Sequence, residues 1–176
     1  MKTALVRVLT IMMIVPLFMV LMGVSVLNAQ NTMKVGGEGN YVIIDRPMFE
    51  FDDTEGHFIY AGKWEGMNHS VGDTDFFDGA VVHFVSYGDY VKGNGPFWGY
   101  LKMMKDGDTV YSKFEGEAKS NISGDGTPVM LLSGSMKMLR GTGRYEGIQG
   151  SANFSNRMLS DRMMVSEWNG EYSIKN

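Results

Sequence analysis

The sequence predicts an all-β protein, an antiparallel eight-stranded β-barrel behind an N-terminal export segment. Three observations predict it. Glycine is dense, with 22 of its 23 residues after position 29. Each interior glycine costs a helix about 1 kcal/mol against alanine, so long helices are disfavoured. Between the glycines lie short runs rich in Val, Ile, Phe, Tyr, Trp and Met that alternate with period two, the pattern of strands joined by turns. The faces so defined mix large aromatics with small residues, as in Phe58/Gly62/Trp64/Gly66 and Ser166/Trp168/Gly170/Tyr172. Small barrels fill a tapering interior in that way, and closure removes the edges an open sheet would expose.

Residues 1–29 read as a secretory signal peptide. Lys2 and Arg7 precede an apolar run from Val8 to Leu27, broken only by Thr10, Pro16, Gly23 and Ser25, and Ala29 precedes the polar Gln30-Asn31-Thr32. Cleavage is expected after Ala29, although Leu27 occupies the −3 position and Gly23-Val24-Ser25 offers a second small-x-small site. An uncleaved anchor is the alternative, because 20 apolar residues can span a bilayer. Removal of the segment leaves 147 of the 176 residues and lowers the net charge from −4 to −6. The expected location is secreted or periplasmic. An acidic chain without a basic run argues against nucleic acid as a partner, and no later apolar stretch is long enough for a transmembrane helix. The chain has no Cys, which excludes disulfides, thiolate metal sites, iron–sulfur clusters and a Cys nucleophile.

The mature chain, residues 30–176, reads as one domain. Tyr41–Ile44 and Met48–Phe51 are short runs flanking Pro47. His57–Gly66 carries Phe58, Tyr60, Gly62 and Trp64 on one face. Gly79–Tyr90 sets Ala80, Val82, Phe84 and Ser86 against Val81, His83, Val85 and Tyr87. Phe97–Lys105 and Thr109–Lys119 form a hairpin, because Asp106-Gly107 supplies the positive φ angles of a tight turn. Val129–Met138 alternates Met130, Leu132, Gly134, Met136 and Met138 with polar residues. Ile148–Phe154 puts Ile148, Gly150, Ala152 and Phe154 on one side, and Met164–Ile174 sets Ser166, Trp168, Gly170 and Tyr172 opposite Glu167, Asn169 and Glu171.

The segment Leu139-Arg140-Gly141-Thr142-Gly143-Arg144-Tyr145-Glu146-Gly147-Ile148-Gln149-Gly150-Ser151-Ala152-Asn153-Phe154 resembles the Gly-Thr-Gly-x-Tyr/Phe-x-Gly/Ala-x-x-Gly stretch of the allene oxide cyclase and dirigent superfamily. The resemblance implies an eight-stranded antiparallel barrel in which this stretch is a glycine-rich turn leading into a late strand. Allene oxide cyclases close a fatty-acid epoxide and dirigent proteins steer phenoxy-radical coupling. No catalytic residue of either family aligns with this chain, so none is carried over.

Reactive constellations are sparse. His57, His69 and His83 show no metal-binding spacing, so no metal site is assigned. Asp52-Asp53-Thr54-Glu55, with Asp73 and Asp75, could offer oxygen ligands to Ca²⁺ but lacks the order of an EF-hand loop and reads as turn chemistry. Glu115 and Glu117 share a face with Lys113 and read as a solvated mixed-charge strand. The 11 Met after position 29 read as core or cavity lining in preference to a thioether copper site. No catalytic residue and no cofactor is assigned. The function expected is binding of a small apolar or aromatic ligand, with Trp64, Trp168, Tyr172, Tyr60 and Phe84 as the ligand-binding residues. Gly62 and Gly170 are expected to keep space open beside them. The alternatives are an isomerase or cyclase acting by confinement of its substrate, and a structural or interaction barrel that is filled solid. After signal cleavage no membrane contact is expected; oligomerisation is left open.

Overall fold

The computed structural model of the protein describes residues 31–122, 124 and 128–175. The export segment read over residues 1–29 lies outside the described residues. Residues Thr32–Asn176 form one compact unit. Among the described residues nine strands run in chain order: β1 Met33–Asp45, β2 Met48–Phe51, β3 His57–Ser70, β4 Ala80–Val91, β5 Gly95–Lys105, β6 Asp108–Ile122, β7 Pro128–Gly141, β8 Ile148–Met158 and β9 Met163–Ile174. One turn of 3₁₀-helix, Gly143–Tyr145, separates β7 from β8.

All pairings are antiparallel, in the order β1-β9-β8-β7-β6-β5-β4-β3-β2. The sheet closes because β1 has two partners. One edge pairs with β9 from Met33↔Tyr172 to Val42↔Met163, the other with β3 from Gly37↔Ser70 to Asp45↔Lys63. Eight strands therefore form a closed barrel, as the alternation predicts. The short β2 extends the β1 ladder along the same edge of β3: Asp45 faces Lys63 and Met48 faces Tyr60, so the register runs unbroken past Arg46-Pro47. The Pro47 carbonyl still accepts from Ala61 N at 3.0 Å.

The sequence reading needs one extension here. β1 begins at Met33, eight residues before the expected Tyr41. Gly36, Gly37 and Gly39 hide this half of the strand, since glycine has low strand propensity. Long-range contact makes it a strand: at Gly37 a Cβ would lie 2.7 Å from Trp168 Nε1 and 2.8 Å from Asn68 Oδ1. The β5–β6 hairpin turns on Asp106 and Gly107 (φ +52° and +87°), as expected, and Asp108 is already the first residue of β6, opposite Lys105.

One end of the barrel is sealed. The nine-residue loop between β3 and β4 drops Phe76 and Phe77 into the interior, where they are 1% and 2% exposed. Phe77 is held at φ +54°, a conformation that costs a non-glycine residue about 1–3 kcal/mol. Hydrogen bonds on both sides hold it there. Asn68 Nδ2 donates to Phe77 O at 3.0 Å, Ser70 Oγ to Phe76 O at 2.8 Å, and Gly79 N to Asn68 O at 2.8 Å. Tyr145, from the glycine-rich turn, packs its ring 4.7 Å from that of Phe77. The motif residues explain themselves at this point. Arg144 donates to the Asp108 carboxylate from Nε at 2.7 Å and from its backbone N at 3.3 Å. A Cβ on Gly143 would fall on that carboxylate, and its φ is +57°. Thr142 Oγ1 accepts from Thr109 N at 2.9 Å. The Leu139–Phe154 segment thus ties the β7–β8 turn to β6 and helps cover this end of the barrel.

At the opposite end, where β1, β6 and β8 finish, no loop among the described residues enters the interior in this way, and Tyr90 is buried against Phe58 and Tyr60. Ile43, Phe58, Met130 and Met158 lie inside this end and are only partly buried.

Candidate functional site

The site grows from a small feature of β3. Gly62 pairs with Ser86 on β4 and lies between Tyr60 and Trp64 on the inward face. A Cβ there would sit 2.6 Å from Trp64 Nε1 and 2.7 Å from Tyr60 Cε2. Glycine leaves both rings free to converge on Ser86. The Tyr60 hydroxyl and Ser86 Oγ are 2.6 Å apart, and Trp64 Nε1 donates to Ser86 Oγ at 3.0 Å. Phe84 stacks on Trp64, with ring centroids 5.5 Å apart and planes 7° from parallel, and meets Tyr41 edge-on at 5.2 Å. Burial pushes the Tyr41 hydroxyl up to about 12 and raises that of Tyr60, so both stay protonated near neutrality.

These side chains wall a cavity of about 70 Å³. Phe97 and Phe114 complete the aromatic wall; Met103, Met136 and Met164 supply thioethers; Ser86, Asn156 and Ser166 supply the polar atoms outside the aromatic rings. Among the described residues, no Asp, Glu, Lys, Arg or His borders it. Asn156 Oδ1 is buried and has no hydrogen-bond partner among the described residues.

Four of the five residues expected to bind ligand line this space: Tyr60, Trp64, Phe84 and Trp168. Tyr172 does not. It lies two residues further along β9, in the sealed end, with its ring 4.7 Å from Phe76 and 6.2 Å from Tyr145. Parity in a strand settles the face of a residue but not its height in the barrel. The indole N–H of Trp168 is already committed, donating to Asn68 Oδ1 at 2.8 Å. Nor do Gly62 and Gly170 hold space open. The first lies beneath the Tyr60 and Trp64 rings, and a Cβ on the second would fall on Ser151 O and within 2.6 Å of the Ala152 Cα. The inward glycines are small so that rings and neighbouring strands can lie against them. Asn156 is the lining residue that sequence reasoning missed. The β8 run was expected to stop at Phe154, yet it continues to Met158 and carries Asn156 on the Phe154 face. The available signal was the same two-residue period, extended once.

The other candidates disperse. His57 and His69 sit at opposite ends of β3, as do the acids at 52–55 and at 73 and 75. His57 instead bridges two carboxylates: Nδ1 is 2.5 Å from Asp53 and Nε2 2.9 Å from Asp89. Those hydrogen bonds, with Asp53 first, raise its pKa, and the same bond lowers that of Asp53. His83 lies 3.9 Å from Glu65 on the outer wall, and Lys113 pairs with Glu115 at 3.8 Å.

No family model matches the chain, and no curated protein matches it. Among solved structures it is similar to the pterocarpan synthase dirigent protein GePTS1. The TM-score is 0.45 at 10% identity, over 84% of this chain and 87% of that one. The likeness is one of fold. The closed barrel itself rests on the β1–β3 ladder, and nothing about activity passes from that protein to this one.

Proposed function

We propose that this is an exported barrel that binds a small apolar or aromatic molecule through its unsealed end. The supporting observation is the apolar cavity of about 70 Å³, left between Tyr60, Trp64, Phe84 and Trp168 while the opposite end is plugged. Ligand pockets are mostly apolar with a few polar anchors, and this one has that composition. Its volume is below the roughly 150 Å³ that accommodates benzene in an engineered cavity. A ligand larger than a few atoms therefore needs the wall to yield. Met103, Met136 and Met164 supply that give, because an unbranched thioether re-packs at low cost. The export part of the reading rests on the layout of residues 1–29, and N-terminal sequencing of the secreted protein is expected to begin at Gln30. Binding is tested by native mass spectrometry of protein purified from its own host. A co-purified neutral ligand supports it. A protein that carries nothing and binds no apolar probe is instead the structural barrel.

A further inference from the structure

We infer that the ligand of this cavity is uncharged and carries an N–H or O–H group, which Asn156 accepts. This deepens the binding reading above and rests on it.

The charge argument comes from the lining. No cationic or anionic side chain borders the cavity. A carboxylate or ammonium placed there would be desolvated without a counter-ion, at a cost of several kcal/mol. The ionisable groups that do border it, Tyr41 and Tyr60, are phenols held protonated by burial. Neither is a counter-ion for anything.

The donor argument comes from counting hydrogen-bond capacity. Asn156 lies between Leu132 on β7 and Ser166 on β9 and faces the cavity. Its Oδ1 is shielded from solvent and unpartnered. Buried polar atoms are nearly always paired, and one left alone costs about 1–3 kcal/mol. Among the described residues the Trp64 N–H is committed to Ser86, the Trp168 N–H to Asn68, and the Tyr60 and Ser86 hydroxyls to one another, while the Asn156 acceptor is the lining atom left buried and unpartnered. The vacancy on the wall is therefore an acceptor. A ligand with a donor fills it, whereas an apolar isostere leaves the carbonyl buried and unpaired. That asymmetry is a device for selectivity, because a missing partner is penalised more than a made bond is rewarded.

The test compares indole with indene, which share a shape and differ by N–H against CH₂, and with indole-3-carboxylate, which adds a charge. Binding is measured by calorimetry on wild-type residues 30–176 and on Asn156→Leu. In wild type, indole is expected to bind about tenfold tighter than indene, and indole-3-carboxylate at least tenfold more weakly than indole. In Asn156→Leu the indole preference over indene is lost, and the variant melts no lower than wild type because an unpaired carbonyl has been removed. Equal affinity of wild type for indole and indene overturns the inference while leaving the binding reading intact. So does an indole preference that survives in Asn156→Leu. Tight binding of the carboxylate overturns the charge half. Failure of all three probes to bind wild type rejects the binding reading itself, and the inference with it. The wild-type comparison stands alone if the variant does not fold.

Discussion

The two ends of this barrel are built from the same strands and treated in opposite ways. At one end Phe76, Phe77, Tyr145 and Tyr172 pack ring against ring, and Asn68, Asp108 and Arg144 fasten the turns that carry them. At the other, Phe58, Met130 and Met158 are only partly covered, and the exposed β2, the end of β6 and the β8–β9 turn leave Phe49, Phe51, Ile122 and Leu159 exposed. Among the described residues, the loops that place buried aromatic rings inside the barrel, the β3–β4 loop with Phe76 and Phe77 and the β7–β8 turn with Tyr145, do so at the first of these ends. The difference separates an end plugged by buried rings from one some of whose inward side chains are only partly covered.

The largest expected effect breaks the sealed end. Phe76→Ala should cost about 3–5 kcal/mol in urea unfolding, as for a fully buried aromatic. Phe58→Ala should cost clearly less, because Phe58 is only partly buried. Equal losses would mean that both ends are packed alike. Next, Gly170→Leu should overpack the β8–β9 contact and lower stability by at least about 1–3 kcal/mol. A variant as stable as wild type would reject the close approach to Ser151 and Ala152.

The ends should also answer to pH differently, since the His57 end adds a histidine whose folded pKa is raised by carboxylate partners. Asp108 is held below its ordinary value, chiefly by the Arg144 hydrogen bond. A carboxyl depressed in the folded state stabilises above its unfolded pKa, about 3.9, and that contribution is lost as pH falls through the folded value. The sealed end is therefore acid-sensitive, and Asp108→Asn should remove that part of the acid transition in a melting series. His57 is raised by Asp53 and Asp89. Its contribution is complete below about pH 6.5 and lost as pH rises through the raised folded value. His57→Gln should flatten the loss of stability on the alkaline side and, because the same hydrogen bond depresses Asp53, also remove that carboxyl's part of the acid transition. The smallest effect is expected at the exposed β2: Phe49→Ser should change stability by no more than about 0.5 kcal/mol, since Phe49 is 61% exposed.

What was legible in the sequence was whatever depends on neighbours within one strand. The period-two runs identified the strands and their inward faces, so Tyr60, Trp64, Phe84 and Trp168 were assigned to the interior from residue spacing alone. Asp106-Gly107 declared its turn because positive φ at two successive residues needs those residue types. The tertiary structure decided everything that depends on height along the barrel or on a distant loop. It put Tyr172 in the plug and Trp168 in the cavity wall, although the two share a face. It made strand of the glycine-rich Met33–Asn40, which pairs because β9 and β3 offer it edges. It drew Phe76 and Phe77 inward from a loop with no periodicity to read. The cavity was beyond sequence reasoning for a simple reason: it is the small remainder of a large packed volume, and a remainder is set by all the side chains together.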